Sequence, residues 1–148
     1  MCEIAKDLKD VNFIFIGTGP EEEYIKDQAE SESNIKFVGF VKNKLLYKYY
    51  SVADIFCIPS QYEEGFGRVV MEAVACGCPV VGSNKGGIPE ALGEGVSILV
   101  EPAKENIKEV IEELYENREK YINLKNNCRN YAEKNFSEEN TNLITKYY

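Results

Sequence analysis

Residues 64–81 read EGFGRVVMEAVACGCPVV, and the order of residue types in that stretch decides the fold. The run Asp54-Ile55-Phe56-Cys57-Ile58 ahead of it reads as a strand, ended by Pro59 and Ser60. Gly65-Phe66-Gly67 then makes a turn, a helical pattern follows from Gly67 to Cys76, and Pro79-Val80-Val81 opens a second strand. Gly77 stands where a helix end wants a left-handed residue, and Pro79 forbids continuation. Strand, glycine turn, helix and strand make one βαβ unit, with a carboxylate on each side of the turn.

Those carboxylates are Glu64 and Glu72, with seven residues between them. Glycine lets backbone approach a ligand closely, because no Cβ intervenes. The first amides of a helix lack intrahelical partners, and the dipole makes that end partly positive, so phosphate is its natural occupant. Glu72 lies about five residues in, roughly 7–8 Å along the axis. That is too deep to cap the first turn, but its two acceptor oxygens suit the paired hydroxyls of a ribose. Glu64 suits hydroxyls on the far side of the phosphates. Diol, phosphates and diol outline a nucleoside-diphosphate sugar. From the residues alone, a solvated helix face behind an ordinary turn fits equally well.

The longer run YEEGFGRVVMEAVACGCPVVGSNKGGIPE, Tyr62 to Glu90, resembles the donor-binding segment of retaining glycosyltransferases of family 4, which have the GT-B fold. The resemblance implies that Glu64 is the catalytic carboxylate, holding the donor sugar's hydroxyls, and that Glu72 holds the ribose. The amides of Phe66, Gly67 and Arg68, with Gly65 in the same turn, would meet the pyrophosphate. It further implies a Rossmann-like doubly wound parallel sheet, the C-terminal half of a GT-B fold, spanning residues 1–148 as one nucleotide-sugar-binding domain. The first strand of that domain and the amino-terminal acceptor domain are expected to be missing. The implied reaction moves a hexose from a UDP-, GDP- or ADP-sugar to an acceptor hydroxyl with retention, and this chain alone is expected to bind donor weakly and transfer nothing. Two alternatives stay open: a non-catalytic nucleotide-sugar-binding subunit, and a sugar-nucleotide epimerase of the same fold. EGFGRVVMEA is transferase-like and disfavours the epimerase.

Composition narrows the partners. Acids outnumber bases 25 to 17, net −8, which argues against nucleic acid and leaves any anionic ligand to local geometry. At 148 residues the chain can bury a core. No apolar run approaches membrane-spanning length and no leader opens the chain, so a cytoplasmic protein is expected, with peripheral membrane contact left open. Cysteines at 2, 57, 76, 78 and 128 make an odd set. Cys57, Cys76 and Cys78 sit in or beside apolar runs, as buried reduced thiols do. Without any histidine, and with Cys76-Gly77-Cys78 one residue too close, neither a metal site nor a redox pair is expected. No cofactor is expected beyond the donor itself.

Elsewhere the pattern repeats strand, loop, helix. Met1–Lys9 reads as the tail of a helix and residues 11–16 as a strand. Gly17-Thr18-Gly19-Pro20 closes that strand, and Pro20 with three glutamates is placed to open a helix. The third glycine of a dinucleotide fingerprint is absent. The resemblance puts Gly17 and Gly19 in the donor cleft and brings Phe40 and Val41 beside the base; a plain strand-to-helix turn is the other reading. Further strands are expected near residues 35, 54, 79 and 96, the sign of a parallel sheet. Lys85, in the loop Gly82 to Glu90, is a phosphate contact or a solvated lysine. Amphipathic helices follow over residues 103–117 and 120–135, then a last helix capped by Ser137.

Overall fold

The computed structural model describes residues 1–61, 68–93 and 95–136. The expected helix after Ser137 lies outside them. The chain divides into two compact units, Met1–Leu46 and Tyr47–Tyr148.

In the first unit, helix α1 (Cys2–Asp7) leads to strand β1 (Phe13–Ile16), helix α2 (Glu22–Ser31) and strand β2 (Ile35–Gly39). β1 and β2 are parallel, with Phe13 opposite Ile35 and Phe15 opposite Phe37, and the register shifts before Ile16 meets Gly39. Parallel partners need a crossover, which α2 supplies. The Pro20 expectation is corrected: α2 opens two residues later. The Glu22 amide first donates to the Gly19 carbonyl at 3.1 Å, a turn that consumes Pro20 before Glu21 becomes the N-cap.

Asn34 fastens this unit together. Its side chain is 6% exposed, and its Nδ2 donates to the carbonyls of Ala5 (2.9 Å), Leu8 (3.0 Å) and Val11 (3.0 Å). One amide nitrogen, its two hydrogens shared among three carbonyls, thus ties α1 to the connector after it; the Leu8 carbonyl also accepts from the Val11 amide at 3.1 Å.

Helix α3 (Asn43–Tyr50) runs across the division between the units. The second unit continues with strand β3 (Phe56–Ile58), helix α4 (Arg68–Ala75), strand β4 (Val80–Ser83), helix α5 (Ile88–Ala91), strand β5 (Ser97–Val100), and helices α6 (Lys104–Glu116) and α7 (Arg118–Asn135). β3, β4 and β5 form a parallel sheet in that order. β4 is buried along its whole length, as a central parallel strand must be. At Gly82 on β4 a Cβ would lie 3.3 Å from side-chain atoms of both Ile58 and Leu99, so glycine lets the three strands close. Strand–helix–parallel strand recurs through both units: the fold is α/β and Rossmann-like.

α4 buries Val70, Ala73 and Val74 and ends as the sequence expects. Gly77 has φ 79°, its amide donates to Val74 (2.9 Å), and the Cys78 amide donates to Ala73 (3.0 Å). These two bonds are the Schellman closure. Gly77→Ala is expected to lower stability by about 1–2 kcal/mol, since a Cβ disfavours φ > 0, measured as a shift in the urea midpoint. An unchanged midpoint would show that this turn relaxes without cost.

α7 fixes the far end of the sheet. The Tyr121 hydroxyl donates to Asp54 Oδ1 at 2.9 Å and accepts from Lys125 Nζ at 2.9 Å, while the Arg118 guanidinium lies 4.7 Å from the centre of its ring. Among the described residues the cysteines form no disulfide. Their burial is corrected: Cys2, Cys78 and Cys128 are buried, whereas Cys57 and Cys76 are half-buried. Burial pushes the thiols of Cys78 to about 12 and Cys128 to about 11, so both stay protonated.

Candidate functional site

In a parallel sheet the loops after the strands gather at one edge, where α/β proteins bind ligands. In the second unit that edge carries Pro59 and Ser60 after β3, Asn84 and Lys85 after β4, and Glu101 after β5. Glu64, Gly65, Phe66 and Gly67 lie outside the described residues; the described part of the βαβ turn resumes at Arg68, the first residue of α4.

Arg68 and Glu72 are one helical turn apart, with Nε 3.9 Å from Oε1. The guanidinium is 84% exposed and the carboxylate 37%. Such an i,i+4 pair is worth only about 0.3–0.5 kcal/mol, so a ligand can separate it at little cost. Tyr50, at the end of α3, is 8% exposed and packs edge-on against Phe56 with ring centres 5.3 Å apart. Burial, and then the Glu72 carboxylate, raise its hydroxyl to about 12. A neutral phenol thus lies within the field of the carboxylate. Tyr50 is a packing residue whose hydroxyl senses the charge of Glu72, the candidate ribose-binding side chain.

Lys85 carries an exposed ion pair. Its Nζ lies 3.4 Å from Glu101 Oε2, and its amide donates to Ser83 Oγ at 3.2 Å. Glu101 is the residue sequence reasoning missed. No local pattern pointed to it; the register does, since Ser83 pairs with Val100 and the residues just past both strands meet.

In the first unit, the Gly17 amide donates to the Gly39 carbonyl at 2.9 Å, joining the carboxyl ends of β1 and β2. Gly17 has φ 128°, a conformation that favours glycine. Gly17 and Gly19 line a cavity of about 250 Å³ with Phe15, Pro20, Ile25 and Phe37. Phe40 follows Gly39 and is 70% exposed, while Val41 is half-buried. The structure therefore brings Gly17, Gly19 and the residues after Gly39 to one sheet edge, and Arg68, Glu72, Lys85 and Glu101 to elements at another. Among the described residues no cluster of histidine, cysteine or carboxylate side chains could hold a metal ion, and no helix is long and apolar enough to cross a membrane.

The model of the family "Glycosyl transferases group 1" matches residues 1–135. The chain belongs to that family. Among curated group 1 relatives, spore coat protein SA of Bacillus subtilis is 34% identical over 98% of this chain and 42% of its own length. The 2-deoxystreptamine N-acetyl-D-glucosaminyltransferase of Niallia circulans is 31% identical over 76% of this chain and 29% of its own. Among solved structures, Anabaena HepE in complex with UDP superposes with a TM-score of 0.79 at 26% identity, covering 98% of this chain and 44% of that one. HepE has also been solved with UDP-glucose, at a TM-score of 0.78. The group 1 chain thus spans less than half the length of these relatives, and its fold is the Rossmann-like C-terminal half of a GT-B enzyme.

Proposed function

We propose that the chain is the donor-binding half of a retaining hexosyltransferase, forming one nucleotide-sugar-binding domain that works with an acceptor-binding domain or subunit. The observation that carries this reading is the Arg68–Glu72 pair on the first turns of α4, in a chain of the group 1 family. Glu72 accepts hydrogen bonds from the ribose hydroxyls. Arg68, together with the amides at the start of α4, balances the charge that grows on the leaving diphosphate. Lys85, released from Glu101, adds a second positive charge. Glu64 orients the sugar and steadies the transient cation at its anomeric carbon. Gly17 and Gly19, with Phe40 and Val41, border the rest of the donor. No metal ion enters this scheme, and the protein works in the cytoplasm with peripheral membrane contact.

A second reading is a non-catalytic nucleotide-sugar-binding subunit with a separate acceptor chain, which a stable partner in pull-downs would favour. Titration of the 148-residue chain with UDP-glucose, GDP-mannose and ADP-glucose tests the donor assignment. One of the three is expected to bind, weakly, with no transfer or hydrolysis of the sugar. Binding of none removes the donor reading; turnover by the chain alone removes the expectation that it needs an acceptor half.

A further inference from the structure

In the second unit, Arg68 and Lys85 each stand beside a carboxylate. Arg68 has Glu72 at 3.9 Å, and Lys85 has Glu101 at 3.4 Å. The two pairs differ in kind. Arg68 and Glu72 lie on one helix, and the reading above gives both of them a place on the donor. Glu101 has no place there. It follows β5 while its cation follows β4, and it adds negative charge to a sheet edge that a diphosphate has to approach, in a chain of net −8.

The backbone sets this contact before the side chains meet. The Asn84 amide donates to the Val100 carbonyl at 2.9 Å, which carries the pairing of β4 with β5 past Ser83. Ser83 is 1% exposed, and its Oγ accepts from the Lys85 amide at 3.2 Å, so Lys85 leaves the sheet in a turn closed by a buried residue's hydroxyl. After β5, the Glu101 carbonyl accepts from the Ala103 amide at 2.7 Å and from Asn106 Nδ2 at 3.2 Å. Both residues are anchored at the same sheet end, while their charged side chains stay 44% and 59% exposed. Exposed pairs of this kind are weak. This one opens for a competing anion and closes when the anion leaves.

We propose that Glu101 is an internal stand-in for phosphate, which takes back Lys85 as the nucleoside diphosphate departs and so weakens the hold on that product. This role rests on the donor reading above and adds one residue to it. Charge supplies the direction. Each phosphate of a nucleotide sugar carries a single negative charge. The terminal phosphate of the departing nucleoside diphosphate carries about −1.5 to −2 at pH 7, as phosphate monoesters do. Lys85 therefore holds the product more strongly than the donor. The penalty imposed by a competing carboxylate grows with how strongly a ligand holds the lysine, up to the strength of the ion pair itself. Glu101 thus acts more against the product than against the donor.

The test is titration of the 148-residue chain, Glu101→Gln, Lys85→Gln and the double variant. The probes are inorganic pyrophosphate and UDP-glucose, GDP-mannose and ADP-glucose, each beside its own nucleoside diphosphate. Glu101→Gln is expected to bind pyrophosphate and the nucleoside diphosphate about two- to fivefold more tightly, the range set by an exposed pair. The gain for the nucleotide sugar is smaller. Both gains disappear in the Lys85→Gln background. A gain that persists there means that Glu101 only repels phosphate through space, and it overturns the proposal. So does the absence of any gain. Pyrophosphate binding that shows the Lys85-dependent gain, with no nucleotide sugar bound, removes the donor reading and leaves the stand-in role. A nucleotide sugar and its diphosphate bound alike by the parent and Glu101→Gln remove the stand-in role alone. Failure of all four chains to bind any of these phosphates overturns both.

Discussion

Glu72→Ala is expected to lose about 100-fold or more in affinity for the nucleotide sugar while melting at the temperature of the parent chain. A carboxylate accepting two ribose hydroxyls makes two charge-assisted hydrogen bonds, each worth about 1.5–3 kcal/mol. The lower figure for both gives about 3 kcal/mol, or somewhat more than a hundredfold. The folded state gives up little in exchange. The side chain is 37% exposed, and its ion pair with Arg68 at 3.9 Å is of the weak exposed kind. A donor analogue lacking the ribose 2′-hydroxyl provides a cycle that isolates the contact. The parent should discriminate against it, and the variant should not. If Glu72→Ala binds both donors as the parent does, Glu72 is only a solvated helix residue and the donor site lies elsewhere. The variant also reports on Tyr50. Its hydroxyl is raised first by burial and second by the Glu72 carboxylate, so its titration should move down from about 12 when that charge is removed, though not back to that of a free phenol.

The parts of this fold legible in the sequence were those decided by local periodicity. Ile107, Val110, Ile111 and Leu114 repeat at helical spacing, and all four are buried in α6. Tyr121, Leu124, Cys128 and Ala132 do the same in α7, whereas Tyr131 is only half-buried, its hydroxyl turned to the Ala91 carbonyl at 3.4 Å. Element ends were less legible, because partners distant in sequence set them. Asp54 and Ile55 lead the strand-like run into β3, yet pairing begins at Phe56, whose amide donates to the Pro79 carbonyl, and Asp54 accepts instead from the Tyr121 hydroxyl. α7 starts at Arg118, ahead of the apolar pattern, because Asn117 Oδ1 accepts from the Lys120 amide and caps it there.

The same division holds at the site. Glu72 could be placed because helix geometry relates it to the turn before it. The Lys85–Glu101 contact could not, because it needs the order and register of β4 and β5, which no local pattern encodes. Nor did spacing reveal that the Glu72 carboxylate would act on the Tyr50 hydroxyl, since α3 and α4 are joined only through the intervening strand and loop. What chemistry a residue can do was readable from its type and local position; which neighbour tunes it was not.

Asn34→Asp is expected to be the most damaging near-isosteric change in the first unit, and its damage is expected to fade as the pH is lowered. In the sequence Asn34 belongs to a polar break before a strand; in the structure its amide nitrogen faces three carbonyl oxygens at 2.9–3.0 Å. Aspartate would put a charged oxygen where those carbonyls require a donor, in a site 6% exposed. Asn34 Oδ1 is itself buried with no hydrogen-bond partner among the described residues, so the other carboxylate oxygen would find no donor there either. An uncompensated buried charge of this kind costs about 3–5 kcal/mol. The cost is linked to protonation, because burial and the facing carbonyl dipoles raise the folded-state pKa of the aspartate above its unfolded value of about 3.9. Above the raised folded pKa the whole penalty is present. As pH falls through it the folded protein takes up a proton that the unfolded chain does not yet bind, and the penalty shrinks until both forms are protonated. A protonated carboxyl can also donate to one of the three carbonyls. Denaturant melts of parent and variant, taken from neutral pH down to about 4, should therefore converge toward the acid end. Parallel curves across that range would mean that the aspartate reaches solvent, and that the three-carbonyl clasp is not what holds α1 to the strand beside it.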